Sequence, residues 1–117
     1  MISTENLARG LGVFSLALGL TEIIAPGVVS RSIGLGNPKL VRGYGAREVA
    51  AGVALLAKPS HPAGAWARVG GDAMDLATLA TARPVGRQKL MFGAVLATVV
   101  GALALDLYAV KKLSAAA

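Results

Sequence analysis

The segment Trp66-Ala-Arg68-Val-Gly-Gly-Asp72-Ala-Met-Asp75-Leu76 sets an arginine and two aspartates inside a stretch that is otherwise apolar enough to cross a bilayer. An ionised group in hydrocarbon is costly unless it has a partner, so such residues face a bundle interior and mark either a packing lock or a functional site. The chain must therefore fold so that other elements bring counter-charges to Arg68, Asp72 and Asp75. Composition points to a membrane setting. Residues are 55% hydrophobic and 15% charged, and the mean hydropathy is positive, +0.63, where a soluble domain would be more polar.

Crossing a hydrocarbon core takes ~20 helical residues, so 117 residues leave room for about four spans and one domain, 1–117. The apolar runs fall at residues 6–24, 39–57, 62–81 and 89–110. Pro26-Gly27 ends the first, Asn37-Pro38 opens the second, and Lys58-Pro59-Ser60-His61-Pro62 makes a tight hairpin before the third. Arg83-Pro84-Val85-Gly86-Arg87 separates the last two. The runs are too long for strands and lack period-2 alternation. They predict an all-α integral membrane four-helix bundle of up-down-up-down topology. The linker from Pro26 to Asn37 mixes Val28, Val29, Ile33 and Leu35 with Ser30, Arg31 and Ser32, which predicts a short interfacial helical segment between the first two spans. Glu5 in the head region argues against a cleavable signal, and the terminal Ser-Ala-Ala-Ala is expected to fray.

Lipid chains give helices no hydrophobic reason to associate, so small residues that allow close backbone approach mark packing faces. Ala8, Gly12, Ser15, Gly19 and Glu22 fall on one arc of the first helix, and Ala46, Ala50 and Ala54 form a ladder on the second. Ala63, Ala67 and Gly71 do so on the third, and Gly93, Ala97 and Gly101 on the fourth. Glu48 shares an arc with Gly45 and Gly52, where a neighbouring backbone could approach.

Counting ~1.5 Å per residue from the side that carries the termini and the 58–62 hairpin, Arg47, Glu48, Arg68 and Asp72 lie near the midplane. A second level brings together Glu22, Arg42 and Asp75 from three helices. The expected buried polar network is thus Glu22, Arg42, Arg47, Glu48, Arg68, Asp72 and Asp75, with carboxylates in surplus over guanidiniums. Such a surplus calls for a held proton, water, a cation or a partner's basic residue. Asp106, close to Lys111 and Lys112 near the end of the last helix, reads as a surface residue. Tyr44, Trp66 and Tyr108 near span ends read as interface anchors, with Trp66 beside Arg68.

Taken together, Gly45-Ala-Arg47-Glu48-Val-Ala-Ala-Gly52 and the 66–76 segment resemble a family of small, largely uncharacterised bacterial four-helix membrane proteins. They also resemble the membrane segment that precedes cyclase/dehydrase-like domains in longer proteins. The resemblance spans most of the chain. It implies an integral membrane module working beside another protein, and it brings no catalytic residues with it.

Other chemistries find little support. There is no cysteine, and His61, the single histidine, sits in the proline-flanked hairpin, so a bis-histidine haem or multi-histidine metal centre within one chain is excluded. Gly34-Leu-Gly36 and Gly43-Tyr-Gly45 do not follow strands of a βαβ unit and read as turn and packing glycines. The formal charge of +6 is spread over span ends without an aromatic platform, which favours anionic lipid headgroups over nucleic acid. Arg31, Lys39, Arg42, Arg83, Arg87 and Lys89 on one side outnumber Arg9, Lys58, Lys111 and Lys112 on the other, a bias that places both termini outside the cytoplasm. The expected protein is a multi-pass component of the bacterial cytoplasmic (inner) membrane, non-enzymatic, with no cofactor and no metal. Its expected partners are lipids and other membrane subunits or further copies of itself. Its role would be that of an accessory or assembly subunit; the alternative is a small oligomeric transporter or proton- or ion-conducting protein using the buried carboxylates.

Overall fold

The structure, a computed structural model, describes residues 3–116. These form α1 (Thr4–Ile24), α2 (Pro26–Ser32), α3 (Pro38–Ala57), α4 (Ala63–Leu79) and α5 (Gln88–Ala116), with no strand among the described residues. The chain is all-α and elongated, 45 × 22 × 21 Å. Of the helices, α1 and α5 are long and apolar enough to cross a membrane. α4 has 17 residues, and α3 carries Lys39, Arg42, Arg47 and Glu48 along its length.

Local chemistry sets the helix ends. The Ser3 hydroxyl accepts a hydrogen bond from the Asn6 N–H at the start of α1, and the Asn37 side chain accepts from the Leu40 N–H ahead of Pro38, the pattern expected of an N-cap followed by proline. His61 Nδ1 accepts from the Ala63 N–H (3.1 Å) and so serves the first turn of α4. α5 outruns its expected end at Val110 and continues through Lys111, Lys112 and the terminal Ser-Ala-Ala. The reason is tertiary: Leu113 is buried in a cluster with Ala8, Leu11, Leu55, Ala65, Ala109 and Val110.

α1 packs chiefly on α3, antiparallel, through two reciprocal glycine pairs. A Cβ added at Gly19 would lie 2.6 Å from the Gly45 carbonyl oxygen, and one at Gly45 would lie 2.7 Å from that of Gly19. Gly12 and Gly52 repeat the arrangement seven residues away on each helix, at 3.1 and 2.8 Å. Real Cβ atoms essentially never approach as closely as 2.6–2.8 Å, so at Gly19, Gly45 and Gly52 only glycine lets these backbones meet without a shift. The expected face of α1, with Ala8, Gly12, Ser15 and Gly19 buried, is the observed one. The Ala46, Ala50 and Ala54 ladder is not: all three are exposed, because α3 turns Val41, Gly45, Glu48, Gly52 and Leu55 inward instead. Gly71 packs against the Arg47 guanidinium. Gly93 and Gly101, expected to pack, have open space where a Cβ would go.

The linker forms the short helix expected between the first two long helices. α2 and the residues after it fold over the end of the bundle, burying Ser30 and Ile33 while leaving Val28 exposed. The Ser30 hydroxyl accepts from the Asn37 N–H (2.7 Å). The Gly34 carbonyl accepts from the Arg83 N–H (2.9 Å), and the Gln88 side chain donates to the Arg31 carbonyl (2.7 Å). Gly34 adopts φ +73°, and a Cβ there would lie 2.6 Å from Pro84 Cα; Gly36 has φ +70° with open space around it. Gly34→Ala is therefore expected to lose more than about 1 kcal/mol of stability and Gly36→Ala clearly less, since only the first adds a clash to the left-handed strain. Thermal midpoints of the two variants check this.

Candidate functional site: a buried guanidinium–carboxylate centre

Arg68 projects from α4 into the bundle with 1% of its surface exposed. Its Nε donates to Asp106 Oδ1 on α5 at 2.9 Å, and its Nη1 donates to Glu48 Oε2 on α3 at 2.8 Å. Nη2 lies 3.8 Å from Asp72 Oδ1, one turn further along α4. The guanidinium carbon stands 5.4 Å from the centroid of Phe14 on α1. One planar fork thus touches all four long helices, as its fixed donor geometry allows and a lysine's would not. Glu48, Asp72 and Asp106 are each at most 3% exposed. The Ser15 hydroxyl, between the two glycine pairs of α1, faces both the Glu48 carbonyl (2.6 Å) and Glu48 Oε2 (2.8 Å). Close approach of α1 and α3 is what brings this small hydroxyl to the carboxylate.

A second guanidinium continues the line. Arg47 Nη2 is 3.3 Å from Asp75 Oδ1 and 3.8 Å from Glu48 Oε1, and its guanidinium carbon lies 5.0 Å from the Tyr44 ring centroid. Asp106, Arg68, Glu48, Arg47 and Asp75 therefore alternate in sign along the bundle, with Asp72 flanking Arg68. Of the second depth level expected from the sequence, Arg47 joins Asp75 to the network, while Glu22 forms no salt bridge among the described residues. One oxygen from each of Glu48, Asp72 and Asp75 lies within 4.8 Å of the others, a spacing a cation could bridge. Glu48 and Asp75 already receive positive charge from Arg68 and Arg47. Buried oxygens of Glu22, Asp72 and Asp106 have no hydrogen-bond partner among the described residues.

Several expectations are corrected. Asp106 is fully buried and is a direct partner of Arg68; it lies on the face of α5 that carries Ala109 and Leu113, and that i, i+3, i+7 spacing was the signal for it. Arg42 is exposed and donates to the Ile23 carbonyl at 3.3 Å, so it belongs to the helix end and not to the buried network. Tyr44 is half-buried, and its hydroxyl pairs with that of Thr78, so it faces the interior and is no surface anchor. The aromatic ring over Arg68 is Phe14, whereas Trp66 is 55% exposed, as Tyr108 is at 49%.

Glu22 and Asp75 reach a cavity of about 160 Å³ at the end of the network, walled by apolar side chains of all five helices and of the α2–α3 connection. A second hollow of about 470 Å³ runs between α1 and α5, from Asn6, Gly10 and Phe14 to Thr98, Gly101 and Leu105, and is almost entirely apolar. Comparison with models of protein families, with curated proteins and with solved structures finds no match to this chain.

Proposed function

We propose that this chain is a non-enzymatic integral membrane protein that serves as an accessory or assembly subunit of a larger membrane complex. In this reading α1, α3, α4 and α5 cross the bilayer, the Arg68 centre fixes their register, and α5 offers its free face to the partner. The observation that carries the reading is α5 itself: 29 residues long, apolar enough to span, yet with only 17% of its most apolar window buried within the chain. Gly93 and Gly101 lie on it with nothing within 4 Å of a Cβ, small residues of the kind membrane helices use to approach one another closely, Gly101 on the side that borders the α1–α5 hollow. Each guanidinium of the centre is engaged by carboxylates of the same chain.

The test is purification of the tagged chain from its native membranes in a mild detergent, followed by native mass measurement. A complex of fixed stoichiometry containing other subunits is expected. Gly93→Leu should remove those subunits while the chain's own helix content is kept and its unfolding midpoint is unchanged or slightly raised, because Gly93 has nothing within 4 Å of a Cβ and lines neither of the two hollows. Recovery of the chain only as a monomer or homo-oligomer would overturn the accessory role and leave transport through the carboxylates as the reading to pursue.

A further inference from the structure

We infer that the cavity at the α2 end of the bundle is a binding site for a primary ammonium cation on an apolar stem. Its shape and charge both point there. At about 160 Å³ it matches the ~150 Å³ of an engineered apolar protein cavity that takes up benzene, so it has room for a short alkyl or single-ring stem. Leu18, Ile33, Val41, Leu79 and Val99 supply apolar walls. The charged groups reaching it are two carboxylates, Glu22 from α1 and Asp75 from α4. Asp75 shares Arg47 with Glu48. Glu22 forms no salt bridge among the described residues, and its Oε1 is buried without a hydrogen-bond partner. A carboxylate oxygen left unmatched at an apolar hollow is satisfied by a compact cation with N–H donors. The hydroxyls of Tyr44 and Thr78, also at the cavity, are engaged with each other, which leaves Glu22 and Asp75 to receive the cation.

Two sources supply this chemistry, a free amine and the ethanolamine headgroup of a lipid, and the inference stands independently of the accessory-subunit proposal. The probe is benzylammonium, with benzyl alcohol as its uncharged analogue, titrated into the purified full chain in a neutral detergent while the methyl NMR signals of Val41 and Val99 are followed. Benzylammonium is expected to shift these signals and to bind about tenfold or more tightly than the alcohol, the contribution of a hydrogen bond to a charged group in a buried setting. Glu22→Gln, which breaks no salt bridge, should weaken the ammonium by about tenfold and leave the alcohol unchanged, and Val99→Phe should abolish both by filling the hollow. Repeating the titration in phosphatidylethanolamine nanodiscs and in phosphatidylcholine nanodiscs separates the sources: competition in the first alone identifies the headgroup, and equal binding in both identifies a free amine. Equal affinity for ammonium and alcohol, no loss in Glu22→Gln, or no shift at the two valines would overturn the assignment.

Discussion

Arg68→Met is expected to cost about 3–5 kcal/mol, enough to unfold a small bundle, because it leaves Glu48, Asp72 and Asp106 buried without their guanidinium. The loss is of charge matching and not of volume, since methionine fills much of the space. Two further variants separate these causes. Arg68→Lys keeps the charge but replaces a planar fork that reaches α3 and α5 together with a single ammonium, so it should recover only part of the loss. Arg68→Met combined with Glu48→Gln, Asp72→Asn and Asp106→Asn removes the charges as a group and should regain most of the stability, as buried ion clusters replaced by neutral side chains commonly do. The midpoint of unfolding of the detergent-solubilised chain, titrated with a denaturing detergent, measures all three. An Arg68→Met midpoint equal to the parent's would show that the centre contributes nothing to holding the helices.

The second large effect lies at the α1–α3 seam. Gly19→Leu or Gly45→Leu should cost about 3 kcal/mol or more, since each side chain would have to displace the facing backbone and not a flexible side-chain end. Separating these helices also withdraws the Ser15 hydroxyl from Glu48, so the seam and the ionic centre should fail together. Gly10→Leu is the matched control. It lies on α1 with open space around it, and its effect should stay within about 0.5 kcal/mol or be slightly stabilising, because leucine favours a helix over glycine. A Gly45→Leu midpoint close to that of Gly10→Leu would contradict the close approach of the two backbones.

These two sites differ in how far the chain alone revealed them. Arg47, Glu48, Arg68, Asp72 and Asp75 stood out because ionisable groups in apolar helices are conspicuous, and antiparallel depth counting brought the first four near one another while setting Asp75 on a second level, which Arg47 bridges in the structure. Asp106 escaped that reading because the two lysines after it suggested an interface, whereas Leu113 beyond them is buried and carries the helix on. Arg42 was misplaced because depth alone does not say which side of a helix a residue occupies; α3 presents Val41 and Gly45 to the bundle and leaves Arg42 outside. The alanine ladder of α3 failed for the same reason. Small residues are frequent on every face, and only the neighbouring helix selects one.

By itself, the sequence determined the helical class, the breakers at Pro26, Pro38, Pro62 and Pro84 that punctuate the helices, and the need for the interior charges to find partners. Each follows from local chemistry: backbone hydrogen bonding, the geometry of proline and the cost of an unpaired charge. Tertiary structure alone decided which carboxylates Arg68 engages, that Gly12 and Gly19 meet Gly52 and Gly45, and that Glu22 and Asp75 open onto a cavity while Gly93 faces outward and Gly101 borders the α1–α5 hollow. Those outcomes depend on the rotation of each helix about its axis, a single angle fixed by contacts with every other helix at once and encoded in no one segment of the chain.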